Sequence, residues 1–171
     1  MVAKAFNSED VEDIAAEAIL DGLPWNWTDY GGYLDSVQAL KPALNIVGLA
    51  GHSAIRFEAM GDASMDKDVQ ADDRQLAEIV RMVKESVEAG AVGFSTSRFI
   101  PHTVPDGRCT PGTWADLRET GAIQQAVIEA GGVGALFQSA NDFQTRMDTE
   151  LKMFEQGAEL GCQILFSGGT G

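Results

Sequence analysis

Four short apolar runs, at 44–50, 91–95, 133–138 and 163–167, alternate with helical segments that are apolar on one face only. This alternation constrains the fold more than any other feature of the chain. Each run is apolar on both faces, as expected of a strand covered from two sides. Such strands, joined through helices, form a parallel sheet with right-handed crossovers. The expected order is β-α-β-α-β-α-β, an α/β class made of parallel β/α units. The spacing suits either a (β/α)8 barrel or a doubly wound sheet.

The helical segments carry their own punctuation. Ser8 is placed to cap a first helix with Val11, Ile14, Ala15 and Ala18 on one face. Thr28 or Asp29 can cap a second, carrying Tyr30, Tyr33, Leu34, Val37 and Leu40. The clearest helix spans 72–89, with Leu76, Ile79, Val80, Val83 and Val87 in one stripe and Gly90 at its end. Thr113–Asp116 reads as a capping box for a helix ending near Ala130. A further helix holds Met147, Leu151, Phe154 and Ala158. The run at 44–50 is read as a full strand, and 61–70 and 96–112 as loops. No helix follows the fourth run, so either the helices before strand one cover it or the chain is part of a longer polypeptide.

The 171 residues suffice for one domain over 1–171. A net charge of −14 would repel phosphate backbones and anionic lipid, so no nucleic acid and no membrane are expected as partners. No stretch approaches the ~18 apolar residues of a membrane span, and the first residues lack an apolar signal core. A cytoplasmic protein is expected. Cys109 and Cys162 are isolated and read as free thiols.

Two of the apolar runs end abruptly in polar and cationic residues. His52 follows the Gly51 turn, with Arg56 four residues on. His52 can serve as metal ligand, acid/base group or substrate clamp, or be a buried histidine bonded to backbone. Arg56 can hold a carboxylate through two hydrogen bonds, or lie on the surface. Ser95, Thr96, Ser97 and Arg98 end the second run. Their hydroxyls can bind an anion or merely cap the loop. His102 and Asp106 lie in the following long loop, and loops of that length are usually functional or mobile. Gln138, Ser139, Asn141 and Asp142 end the third run. Gly168–Gly171 ends the fourth and suits phosphate only if a helix N-terminus follows. Met60, Met65, Trp25 and Trp27 read as packing residues, with the two tryptophans alternatively at a pocket rim. There is no His-x-His, no HExxH, no Walker A motif and no GxGxxG.

Several motifs, in order, resemble the D-aminoacylase branch of the amidohydrolase superfamily, also called amidohydrolase family 3. They are the run Gly22-Leu-Pro-Trp-Asn-Trp27, the run Val47-Gly-Leu-Ala-Gly-His-Ser-Ala-Ile-Arg56 with Met60-Gly61, and Glu88-Ala-Gly-Ala-Val-Gly-Phe-Ser-Thr-Ser-Arg98. His102, Asp106-Gly107 and Pro111-Gly112 continue the pattern. The resemblance covers about residues 20–140. It implies a metal-dependent (β/α)8 barrel, zinc in the full-length family, and hydrolysis of an amide such as that of an N-acyl-D-amino acid. The chain departs from the family in lacking its early His-x-His pair and its late catalytic Asp segment. Gln138-Ser139 and Ser167-Gly168 stand where members usually place histidines after the strands.

The resulting expectation is a partial TIM (β/α)8 barrel of about four strands, resembling the middle of a family member and inactive alone. Its substrate-side residues would be His52, Arg56, Ser95, Thr96, Arg98 and His102, with no metal ligand among them. The expected partners are a small-molecule substrate and a second copy of the chain, met through exposed sheet edges. The alternatives are a non-catalytic half-barrel that binds a small anion or self-associates, and a phosphate-binding barrel enzyme using Gly168–Gly171.

Overall fold

A computed structural model describes residues 24–168. The first expected helix, around Ser8, and Gly169–Gly171 lie outside the described residues. Four strands, β1 (Ala50–Gly51), β2 (Gly93–Ser97), β3 (Leu136–Asn141) and β4 (Gln163–Gly168), form one sheet in the order β1-β2-β3-β4. Every neighbouring pair is parallel. The helices are α1 (Tyr30–Ala39), α2 (His52–Met60), α3 (Asp73–Glu88), α4 (Leu117–Gly131) and α5 (Met147–Leu160), with a 3-10 turn over Gly61–Met65. This is the expected α/β class, with strands added to the sheet in chain order.

The caps explain the helix starts. The Asp29 carboxylate accepts from the Gly32 N–H at 2.8 Å and begins α1. Asp72 and Gln75 bond each other's backbone N–H groups and begin α3. Asp116 alone caps α4, accepting from the Glu119 N–H. Thr113, expected to share in that cap, is instead fully buried with its hydroxyl on Thr110.

One further expectation needs correction. The run at 44–50 pairs as strand only at Ala50 and Gly51. Leu44, Ile46 and Val47 are 79%, 52% and 66% exposed, so they lack the cover that would make them a buried strand. The residues after Gly51, for which the sequence reading sets no element, form α2, which starts at His52 with no side-chain cap at all. That helix has five buried residues, and burial rather than a local signal holds it.

The helices cover one face of the sheet. Phe94 and Phe137 point into that layer with their rings 6.0 Å apart. They pack with Ile79, Val83, Ile123, Val127 and Met153, all inaccessible to solvent. Each such side chain contributes about 1.5–3 kcal/mol by leaving water. β2 and β3 approach so closely at Gly93 that a Cβ there would lie 1.9 Å from the Leu136 carbonyl oxygen. Only glycine permits that strand pair to form in this register.

Burial alternates along β2 and β3. Phe94, Thr96, Phe137, Ser139 and Asn141 face the helices, while Ser95, Ser97, Leu136, Gln138 and Ala140 face the other way and are only half-buried. Both outer strands, β1 and β4, are sheet edges, and Leu165 and Phe166 on β4 are each 55% exposed. Among the described residues, no helix is long and apolar enough to cross a membrane. Cys109 and Cys162 are free thiols.

Candidate functional site

The residues expected at a site divide between the two faces of the sheet. On the helix-covered face, β1 runs directly into α2 and so buries His52 behind it. His52 Nδ1 lies 2.7 Å from Thr96 Oγ1 on β2, and its Nε2 lies 2.7 Å from Glu119 Oε1 in the first turn of α4. Arg56, one turn further along α2, donates its Nε–H to both Glu119 oxygens at 2.9 and 3.2 Å. Its terminal nitrogen bonds the Ser64 carbonyl. His52, Arg56 and Glu119 are at most 2% exposed.

The protonation states follow from the contacts. Burial pushes the His52 pKa down against the opposing pull of Glu119, so the ring is neutral near pH 7. Burial alone would raise the Glu119 pKa, but its bonds to His52 and Arg56 outweigh that and hold it below the usual carboxylate range. An ionised carboxylate only accepts, so the His52 proton sits on Nε2 and the Thr96 hydroxyl donates to Nδ1. The Arg56 guanidinium is the counter-charge of Glu119.

Arg98, just past β2, repeats the arrangement one unit later. Its Nε–H donates to both oxygens of Glu150 at 3.0 Å, in the first turns of α5. Arg98 also donates to the Ala115 carbonyl at 2.7 Å. Asn141 Nδ2 closes the group on Glu150. Arg98, Glu150 and Asn141 are all buried. In both units an arginine after one strand is neutralised by a glutamate from the first turns of a later helix. The two guanidiniums that a substrate carboxylate would need already have carboxylates of the protein's own.

The other face holds Ser95 and His102. The Ser95 hydroxyl donates to Gln138 Oε1 in the registered position of β3. Ser97 Oγ lies 2.6 Å from His102 Nδ1, and the His102 ring meets Phe99 edge-on at 5.2 Å. Burial lowers the His102 pKa, leaving that ring neutral as well. These groups are half-buried and reachable from solvent. The structure thus brings together His52, Arg56 and Thr96 behind the sheet, places Arg98 in a second cluster beside them, and sets Ser95 and His102 on the open side. Asp106 is spent on Arg108, at 2.6 Å.

Sequence reasoning missed Glu119 and Glu150. Both resemble ordinary acidic residues near helix starts, where the dipole favours them. The signal that could have found them is their place in an apolar stripe: Glu119 precedes Ile123 and Val127, and Glu150 precedes Met153 and Gly157, at helical spacing.

The residues present do not fit a metal ion. Among the described residues no group of three histidine, cysteine or carboxylate side chains is close enough to hold one. Both nitrogens of His52 are occupied, and its nearest carboxylate is already shared with a guanidinium. A cation added there would stand against Arg56.

A parallel sheet in chain order, helices on one face and polar strand ends on the other define a section of a β/α barrel. The solved structures agree: N-acyl-D-glutamate deacylase from Bordetella bronchiseptica, crystallised with zinc and a phosphonate inhibitor, superposes on 80% of this chain. The TM-score is 0.60 at 24% identity, and 26% of that protein is covered. No family model matches the chain. In sequence it is 30% identical over 151 residues to an uncharacterised protein of Mycobacterium tuberculosis, covering 80% of this chain and 24% of that protein. It is 35% identical over 82 residues to N-acyl-D-glutamate deacylase of Alcaligenes xylosoxydans, covering 48% of the chain and 16% of the enzyme. D-aminoacylase of the same organism is 30% identical over 90 residues, covering 53% and 17%. The chain is therefore similar to N-acyl-D-glutamate deacylase and D-aminoacylase over part of their length, and it spans about a quarter of the length of the first of these relatives.

Proposed function

We propose that the chain is a section of a metal-dependent amidohydrolase that cleaves an amide such as that of an N-acyl-D-amino acid, and that it is inactive by itself. The observation that supports this most is the division of the strand-end residues. Ser95, Ser97, Gln138 and His102 form the wall that a small-molecule substrate meets, in a cytoplasmic protein. His52, Arg56, Thr96 and Arg98 build the scaffold behind that wall. The metal ligands belong to other parts of the enzyme.

The test is to measure N-acyl-D-amino-acid hydrolysis and zinc content for the chain alone and for a chimera. In the chimera, the chain replaces the corresponding section of N-acyl-D-glutamate deacylase. The chain alone should release no D-amino acid and hold no stoichiometric zinc, while the chimera hydrolyses. A folded, zinc-loaded chimera without activity, or an active isolated chain, would overturn the reading.

A second reading, the self-associating half-barrel, is favoured by one observation. Among the described residues the β1 and β4 edges have no further strand, and exposed Leu165 and Phe166 lie on one of them. Unpaired strand edges of that kind seek another strand, which in the isolated chain is a second copy.

A further inference from the structure

We propose that the open face at Gln138 and Ser97 recognises a neutral secondary amide, the acyl end of a substrate, and leaves the substrate's carboxylate to other parts of the barrel. This rests on the deacylase reading and specifies which portion of the ligand these residues take.

Three observations carry it. The first is the orientation of Gln138. Ser95 and Gln138 are registered partners on parallel strands, so their side chains leave the sheet on the same side. The Ser95 hydroxyl holds Gln138 Oε1, which turns the two N–H donors of Nε2 away. Among the described residues Nε2 has no protein partner, so it is a fixed donor facing solvent.

The second is the neighbouring rung. Ser97 stands two residues along β2 on the same face, about 7 Å further. Whichever of Ser97 Oγ and His102 Nδ1 gives the proton, the hydroxyl oxygen keeps a lone pair able to accept. The face therefore offers a donor and then an acceptor. A trans secondary amide offers a carbonyl oxygen and, on its opposite side, an N–H. With a hydrogen bond of about 2.9 Å at each end it spans a gap of this order.

The third is the absence of positive charge for a carboxylate. Arg56 and Arg98 lie on the other face and are paired with Glu119 and Glu150. Arg146 bonds the Thr113 and Arg98 carbonyls. Arg108, in the loop beside His102, is bound to Asp106. His102 is neutral. None of these four arginines is left without a partner to meet an anion placed here, in a chain of net charge −14.

The experiment is an NMR titration of the 15N-labelled chain, following the Gln138 side-chain amide and the His102 ring nitrogens. The probes are N-acetyl-D-alanine, N-acetyl-D-alaninamide and D-alanine. Both acetylated probes should shift these signals with similar affinity, and D-alanine should not. Gln138→Leu and Ser97→Ala should each weaken binding about fivefold to tenfold, the worth of one neutral hydrogen bond, with the backbone spectrum unchanged. Equal shifts by D-alanine, no shift by either acetylated probe, or unaltered binding by both variants would overturn the proposal. If the chimera described above hydrolyses its substrate while these shifts are missing, this inference alone fails. If the chimera folds, loads zinc and hydrolyses nothing, the deacylase reading itself fails.

Discussion

His52 Nε2 and Glu119 Oε1, separated by 67 positions in sequence, meet at 2.7 Å in a site closed to solvent. The bond joins the first residue of α2 to the first turn of α4 and, through Thr96, to the middle of β2. A histidine that looks like chemistry in the sequence is thus one corner of a polar joint among three elements. Removing Glu119 would strand Arg56 as a buried, unpaired cation. Glu119→Ala should cost about 3–5 kcal/mol. Urea unfolding checks this, and a cost below ~1 kcal/mol would show that the joint is dispensable.

The same joint sets the pH profile. His52 has a folded pKa below its unfolded value of about 6.5, so as pH falls through that value the unfolded chain takes a proton that the folded chain refuses. Stability should therefore decline from about pH 6.5 downward. The Glu119 pKa is also depressed, so its contribution is present above the usual glutamate range and is lost as pH falls through its folded value. His52→Asn should flatten the upper part of this decline. Denaturation midpoints recorded from pH 4 to pH 8 test it, and a profile unchanged by the substitution would refute the assignment.

The Arg98–Glu150 pair predicts a non-additive result. Arg98→Met and Glu150→Leu singly should each cost about 3–5 kcal/mol, because each leaves a buried charge alone. The double variant should recover a substantial part of the summed loss. Additive costs would show that the two side chains act independently.

Gly112 offers a steric test. Its φ is +103°, and a Cβ on it would lie 2.6 Å from His52 Nδ1. Gly107 has a similar φ of +87° but nothing within 4 Å of the added carbon. Gly107→Ala should cost only the backbone strain, about 1–3 kcal/mol. Gly112→Ala should cost more and should displace the His52 ring signals. Equal effects at the two positions would mean that His52 has room to move.

Much of the fold was legible, for reasons visible at particular residues. β2, β3 and β4 fall within about three residues of the apolar runs, although the structure covers only one face of these strands, so that Ser95, Ser97 and Gln138 alternate with buried Phe94, Thr96 and Phe137. α3 was readable from its stripe and from Gly90 at its end. α2 was not, because Gly51 supplies no cap and the helix is held by tertiary burial. The run at 44–50 has strand composition, yet beyond Ala50 and Gly51 it finds no ladder. The membership of the site was half legible. The sequence marks the chemical types at the strand ends, but the face each occupies depends on register. A shift of one residue exchanges Ser95 for Thr96 and Ser97 for Arg98. The glutamates that neutralise the arginines come from helices far along the chain, and no local pattern links them.

The proposed division makes the strand end bearing His52 scaffold and the opposite face the one that meets the ligand. Long-range 1H–15N correlation of the His52 imidazole tests it most directly. A single neutral tautomer protonated on Nε2 is expected at pH 7, unmoved by added zinc or N-acetyl-D-amino acid. Loss of the Nε2 proton on adding zinc, or a saturable ligand shift at His52 larger than that at His102, would contradict it.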